Sequence, residues 1–240
     1  MKKKNIRKII MLVLTGVLIC GCCYVNDYYH ALDSEIEEFE TENAVSVDLL
    51  KGDVIVCAPE EPVAGMIFYP GGKVEYTSYI PLMKECASNG IMTVLVKMPF
   101  NLAVLDVNAA DGITEKYPEI KEWYMAGHSL GGSMAATYIE NNTNEYDGLV
   151  LLGSYSTSDI KDLELKVLSI YGSEDLVMKR DNYEENRKNL PDDLREEKLE
   201  GGNHAGFGMY GMQEGDGVST ITNEEQIRKT ANIIFDFICD

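Results

Sequence analysis

Apolar residues recur along this chain in two patterns, which together predict an alternation of strands and helices. Short apolar runs that end in turn residues are typical of buried strands, whereas apolar positions spaced three and four apart are typical of helices. Strands are expected in residues 45–59 (a pair around a turn at 51–53), 64–72, 91–98, 122–127, 148–154, 166–175 and 195–204. Helices are expected in residues 76–90, 103–117, 132–141, 178–190 and 222–240, the last beginning at a capping box of Thr222 and Glu225. This order predicts an α/β fold, with a mostly parallel twisted sheet and helices on both of its faces.

The first 25 residues differ from the rest of the chain. Five basic residues lie among the first eight, and an apolar run extends from Ile9 to Val25. This combination is typical of a signal segment or an N-terminal membrane anchor, and it predicts that the chain after about Tyr24 lies outside the cytoplasm. Cys22 follows Gly21 in a pattern that resembles a bacterial lipoprotein processing site. A lipoprotein, an uncleaved anchor helix and a cleaved secreted form are therefore three open alternatives.

The remainder of the chain divides into a short stalk and one domain. Residues 26–43 are acidic, with apolar side chains at helical spacing, and predict a helical stalk that packs on the domain. Residues 44–240 are long enough to bury one core and short for two. We therefore expect an anchor or signal over residues 1–25, a stalk over 26–43 and one α/β domain over 44–240.

Charge and cysteine content exclude several classes of function. The chain has 21 basic and 40 acidic residues, a net charge of −19, and no basic stripe after the leader, which makes nucleic acid an unfavourable partner. Three cysteines remain after the leader, an odd number without paired spacing, so we expect no disulfide framework and a core position for each of them. With only three histidines in the chain, we predict neither a metal site nor a cofactor.

The stretch GHSLGG, residues 127–132, is a candidate strand-to-helix turn carrying an activated serine. It lies at the carboxyl end of a predicted strand, where open parallel sheets bind ligands. Gly127 and Gly131 stand where a Cβ would collide with the neighbouring strand or helix. Ser129 would project above the sheet, and the N–H of Leu130 would help to stabilise a developing oxyanion.

A serine hydroxyl needs a histidine base and a carboxylate that orients it. His30 lies in the predicted stalk, and the side chain of His128 is expected to point away from its neighbour Ser129. His204 remains, at the end of the last predicted strand. The carboxylate should follow the preceding strand, where Asp175 is the first choice and Glu174 the alternative.

The order Ser129, Asp175, His204, each after a strand, resembles the α/β-hydrolase superfamily over residues 45–240. The turn YPGGKVEY is similar to that of compact bacterial members related to dienelactone hydrolases. This resemblance implies a second oxyanion donor at the N–H of Gly72, with Lys73 as the adjacent candidate. Dienelactone hydrolases use a cysteine nucleophile, and because this chain has a serine, dienelactone substrates are not implied.

The loops predict the nature of the substrate. The connection between the sixth and seventh strands is too short for the lid domain of many lipases in this superfamily. Residues 98–106 and 205–221 are expected to wall the site, with substrate contacts from Lys73, Met98, Phe100 and Phe207. These apolar walls favour a small, neutral acyl ester, thioester or lactone.

The sequence thus predicts a serine hydrolase that forms an acyl-enzyme, held at a membrane by its N-terminal segment. Two alternatives stay open: a serine peptidase or acyltransferase with the same three residues, and an inactive surface lipoprotein that only binds a partner.

Overall fold

The computed structural model describes residues 3–240; the side chains of residues 3–7, 9, 17–20, 22 and 23 lie outside the described part. The strands are β1 (Ser46–Leu50), β2 (Val54–Ala58), β3 (Ala64–Tyr69), β4 (Ile91–Leu95), β5 (Trp123–His128), β6 (Gly148–Leu152), β7 (Lys166–Gly172) and β8 (Arg195–Leu199). The helices are α1 (Lys3–Asn26), α2 (Asp33–Glu38), α3 (Ile80–Ser88), α4 (Leu130–Glu140), α5 (Arg180–Asn186) and α6 (Asn223–Cys239).

The eight strands form one sheet, in the order β1-β2-β4-β3-β5-β6-β7-β8. β2 is antiparallel to both of its neighbours, β1 and β4, and all other neighbouring pairs are parallel. The predicted α/β architecture is therefore confirmed. Residues 153–165, between β6 and β7, contain no helix, in agreement with the predicted absence of a lid domain. The carboxyl ends of β3, β5, β7 and β8 lie at the same edge of the sheet, so the turns that follow them come together.

Helices cover both faces of the sheet, because each strand in its centre is apolar on both sides. One core cluster contains Leu82 of α3 and Phe237 of α6. The other contains Ala135 and Ile139 of α4. The helix α6 begins as predicted, since the hydroxyl of Thr222 accepts the N–H of Glu225 at 3.1 Å.

The predicted stalk is helical only at Asn26, where α1 ends, and over the six residues of α2. Before α2 the chain is extended, and Tyr29 forms a parallel bridge with Val74. The N–H of Tyr29 donates to Lys73, and its carbonyl accepts from Glu75, so non-local pairing replaces the expected helix. The expected packing on the domain is present, since the side chain of Phe39 is buried in the core.

The helix expected over residues 103–117 is absent, and this segment consists of turns and two short 3₁₀ helices, Ala103–Leu105 and Thr114–Lys116. The cause is a buried tertiary contact. The hydroxyl of Tyr69 donates to the carbonyl of Val107 at 2.7 Å and accepts the N–H of Ala110 at 3.0 Å. These bonds use backbone groups that a helix would need for itself.

The predicted membrane segment corresponds to α1, and none of the helices in the described part of the chain is long and apolar enough to cross a membrane. The lipoprotein alternative would acylate Cys22, whose side chain lies outside the described residues. Anchor, signal and lipoprotein stay predictions. Of the three cysteines expected in the core, Cys57 and Cys86 are buried, whereas Cys239 is exposed because it ends α6.

Candidate active site

Ser129 lies on a strained turn between β5 and α4, with φ 52° and ψ −122°. Non-glycine residues rarely adopt this conformation, and such strain persists where the surrounding structure enforces it. A Cβ on Gly127 would lie 2.5 Å from the backbone of Gly131, and a Cβ on Gly131 would collide with the carbonyl oxygen of Tyr69. The glycines therefore permit the close approach of strand and helix that the sequence indicated.

Besides the N–H of Ser133 in α4, which donates to the Ser129 carbonyl at 3.2 Å, two hydrogen bonds from β6 and the loop after it hold the strained backbone. The N–H of Ser129 donates to the carbonyl of Leu152 at 2.9 Å. The hydroxyl of Ser154, just beyond β6, donates to the carbonyl of Ser129 at 2.6 Å. Ser154 is a site residue that the sequence analysis missed, because a serine in a loop carries no distinctive pattern.

The structure brings His204 and Asp175 together at the carboxyl ends of β8 and β7. The Nδ1 atom of His204 lies 2.8 Å from Oδ2 of Asp175, and both side chains are almost fully buried. The other carboxylate oxygen accepts the N–H groups of Val177 at 3.0 Å and Met178 at 2.8 Å. These bonds fix the carboxylate so that it accepts a hydrogen bond from the Nδ1–H of His204. The alternative acid, Glu174, instead accepts the hydroxyl of Ser173 at 2.9 Å.

The other ring nitrogen of His204, Nε2, is buried and has no hydrogen-bond partner among the described residues. With the proton on Nδ1, Nε2 carries a free lone pair. Ser129 and His204 line the same cavity. A buried base beside a serine on a strained turn is able to accept the hydroxyl proton.

Asp216 connects the loops that carry the histidine and the aspartate. One of its carboxylate oxygens accepts the N–H of Ala205 at 2.9 Å, and the other accepts the N–H of Leu176 at 3.3 Å. Each of these donors is the immediate neighbour of His204 or Asp175. Sequence analysis did not identify this role, because it depends on how residues 205–221 fold back.

The turn after β3 contains Gly72 and Lys73, the two candidates for the oxyanion donor that would act together with the N–H of Leu130. The N–H of Gly71 donates to the hydroxyl of Tyr79 at 3.1 Å, and that of Lys73 donates to the carbonyl of Asn101 at 2.8 Å. The N–H of Gly72 has no acceptor within the described part of the chain. A Cβ on Gly72 would lie 2.9 Å from the Leu130 side chain, so this turn packs against the start of α4. Both residues line the cleft next to the serine cavity, and of the two only Gly72 has an N–H without an acceptor in the described part of the chain.

A cavity of about 440 Å³ opens beside Ser129 and His204. Its walls come from the first turn of α4 and from the loops after β6 and β7. They comprise Leu130, Ser133, Met134, Gly153, Ser154, Tyr155, Thr157, Val177, Met178 and Lys179.

The walls predicted from the sequence lie elsewhere. Met98 and Phe207 are buried in the two core clusters, and Phe100 is exposed on a turn with φ 53°. Lys73 lies on a neighbouring cleft, where its ammonium group pairs with Asp27 at 2.7 Å. None of these four residues lines the serine cavity. The predicted wall loops, residues 98–106 and 205–221, therefore do not line this cavity, because their large apolar side chains are buried in the core or exposed elsewhere.

His128, whose side chain was expected to point away from Ser129, does not line the serine cavity. Its ring is fully buried, and its centroid lies 4.4 Å from that of His204. Burial and the neighbouring His204 ring lower the pKa of His128 well below its usual value, so this imidazole is neutral.

No group of three or more side chains that could bind a metal ion occurs among the described residues.

Comparisons with known proteins agree with the fold. A family model described as "Alpha/beta hydrolase family" matches residues 65–228. A predicted CIB-like hydrolase from Thermoplasma acidophilum is similar in structure, with a TM-score of 0.55 and 15% identity, over 80% of this chain and 99% of that one. The protein TT1662 from Thermus thermophilus gives a TM-score of 0.59 and 13% identity, over 81% of this chain and 97% of that one. These likenesses concern the fold, and comparison with curated proteins gives no match.

Proposed function

Because the chain belongs to the alpha/beta hydrolase family and is a hydrolase, we propose that it cleaves small neutral carboxylic esters, thioesters or lactones. In this proposal Ser129 is the nucleophile, His204 the general base and Asp175 the carboxylate that orients the base. The observation that carries it is the buried 2.8 Å pair of His204 and Asp175, whose free ring nitrogen shares a cavity with the serine.

The reaction proceeds through an acyl-enzyme. The Ser129 hydroxyl oxygen attacks the acyl carbonyl carbon while Nε2 of His204 takes its proton. The N–H groups of Leu130 and Gly72 donate to the oxyanion of the tetrahedral intermediate. His204 then protonates the leaving alcohol or thiol. Water attacks the acyl-enzyme, with His204 again as base, and releases the acid and the free serine.

The size and chemistry of the cavity support a small acyl group. A volume of about 440 Å³ lies at the lower end of the range for ligand pockets. Its wall combines the apolar side chains of Met134, Val177 and Met178 with hydroxyl groups, and among the described residues no carboxylate side chain and a single lysine, Lys179, line it. This lining suits a short, moderately apolar acyl chain.

The test is a series of p-nitrophenyl esters of increasing acyl length, assayed with the full chain. We expect the highest kcat/KM for acyl groups of about two to six carbons, which the cavity can hold. The highest turnover on long-chain emulsions would contradict the proposed substrate class. Ser129→Ala should lower kcat by a factor of about 10³ or more.

Two further substrates separate this proposal from its alternatives. The matched p-nitroanilide tests for peptidase activity, and added short alcohols reveal acyl transfer as a second product. A chain that folds, binds these esters and releases no product would be a binding protein.

A further inference from the structure

A buried hydrogen-bond chain connects the oxyanion turn to the segment that carries the serine. The N–H of Gly71 donates to the hydroxyl of Tyr79 at 3.1 Å. The same hydroxyl lies 2.7 Å from Nδ1 of His128, the residue directly before Ser129. Tyr79 and His128 are both fully buried. A Cβ on Gly71 would lie 2.7 Å from the hydroxyl and 2.8 Å from the imidazole nitrogen, so only glycine fits there.

The direction of these bonds follows from counting protons. The tyrosine oxygen already accepts the Gly71 N–H, and its own proton needs an acceptor because a buried donor without a partner is unfavourable. Nδ1 of His128 is the acceptor within reach, so His128 carries its ring proton on Nε2, which is buried and has no partner among the described residues. The reverse assignment would leave two groups unpaired, the tyrosine proton and the Nε2 lone pair. Burial raises the pKa of Tyr79 and lowers that of His128, and both groups therefore stay uncharged.

The neutral His128 ring packs against the proposed general base. Its centroid lies 4.4 Å from that of His204, at an interplanar angle of 47°, and 5.4 Å from that of Phe207. The titratable groups that face it are Tyr79 and His204, and Tyr210 faces Tyr79 at 6.4 Å. When His204 gains a proton during the reaction, a neutral neighbour adds no charge repulsion.

We propose that Tyr79 and His128 are positioning residues, which hold the Gly72 oxyanion turn, the Ser129 turn and the His204 ring as one rigid unit. The inference rests on the proposed function, because it assigns these residues to the same reaction. Tyr79 fixes the backbone next to Gly72, and His128 is covalently attached to the serine and packed on the base. An error of about 1 Å in such an arrangement is enough to cost about 10²-fold in rate.

The test measures kcat, KM and thermal stability for variants of the full chain. Tyr79→Phe should lower kcat about 10-fold or more while KM changes less than about threefold, because ground-state binding does not use the hydroxyl. Tyr183→Phe is the matched control. Its buried hydroxyl also makes two hydrogen bonds, to Ser169 at 3.0 Å and Glu196 at 2.6 Å, but it lies outside the cavity lining.

A second pair of variants keeps the test decisive even if Tyr79→Phe fails to fold. His128→Asn retains an oxygen that can accept from Tyr79, whereas His128→Leu does not. We expect His128→Asn to retain most of the activity that His128→Leu loses, and Tyr79→Phe to add little to His128→Leu.

Three results would overturn the inference: an unchanged kcat in Tyr79→Phe, an equal loss of kcat in Tyr183→Phe, or equal losses in His128→Asn and His128→Leu. These results presuppose wild-type turnover. A folded wild-type chain without any ester hydrolysis would instead contradict the proposed function itself.

Discussion

Replacing Asp175 with Asn tests the role of the buried carboxylate with almost no change in shape. The wild-type carboxylate accepts three hydrogen bonds, from His204 and from the N–H groups of Val177 and Met178. An asparagine can keep the two backbone bonds through its oxygen. Its NH₂ group then faces Nδ1 of His204 and forces the proton onto Nε2, the nitrogen that has to act as the base.

The expected losses in activity and in stability differ in size. The wrong tautomer should lower kcat by about 10³ to 10⁴, equivalent to about 4 to 5.5 kcal/mol of transition-state stabilisation. The free energy of unfolding should fall by only about 1 to 2 kcal/mol, because the two backbone bonds become neutral rather than charge-assisted.

The assay is hydrolysis of a short p-nitrophenyl ester, with urea unfolding of the same samples. Glu174→Gln is the matched control, since Glu174 is adjacent, was the alternative acid from the sequence, and accepts its hydrogen bond from Ser173. It should retain nearly full activity. If Glu174→Gln lost as much activity as Asp175→Asn, or if Asp175→Asn kept more than about a tenth of the wild-type rate, the assignment would be refuted.

Three further variants test the packing at the start of α4, the ion pair between α3 and α6, and the loop contacts of Asp216. Gly131→Ala places a Cβ against the Tyr69 carbonyl, so the free energy of unfolding measured in urea should fall by about 1–3 kcal/mol, and turnover should also fall. An unfolding free energy equal to that of the wild type would contradict this expectation. Burial raises the pKa of the Glu85 carboxyl in the folded chain, despite its ion pair with Arg228. The protonated carboxyl therefore stabilises the fold fully at a pH below the pKa in the unfolded chain, and this stabilisation is lost as the pH rises through the pKa in the folded chain. Glutamine does not titrate, so the melting temperature of Glu85→Gln minus that of the wild type should increase from pH 4 to pH 7. A decrease in this difference would contradict the raised pKa of Glu85. Asp216→Asn should lower kcat about 10-fold by loosening the histidine and aspartate loops, and an unchanged kcat would exclude that role.

The sequence predicted best where local chemistry determines structure. The capping box at Thr222 forms, and the glycines around Ser129 lie where a Cβ has no room. Apolar runs between turn residues identified β3 to β7, because a strand buried on both faces has few polar positions. β8 is charged and only partly buried, and its prediction followed from the alternation of strands and helices. The sequence also predicted that Ser129, Asp175 and His204 act together, because each of them follows a strand whose carboxyl end lies at the same edge of the sheet.

The prediction was wrong where a distant contact determines the backbone. Residues 103–117 have helical spacing, yet the hydroxyl of Tyr69 binds their backbone and holds a loop. Tyr29 has helical spacing relative to Leu32, yet it pairs with Val74. The walls of the cavity show the same limit, since apolar character does not distinguish the buried Phe207 from a residue that faces a ligand.

The most direct test of the central claim is whether Ser129 is an activated nucleophile. The full chain is treated with a fluorophosphonate, its intact mass is measured, and any adduct is located by peptide mapping. We predict a single adduct on Ser129 that is lost in His204→Ala, because the serine needs its base to attack phosphorus. A folded chain that gains no adduct, or gains one at another residue, would contradict the account.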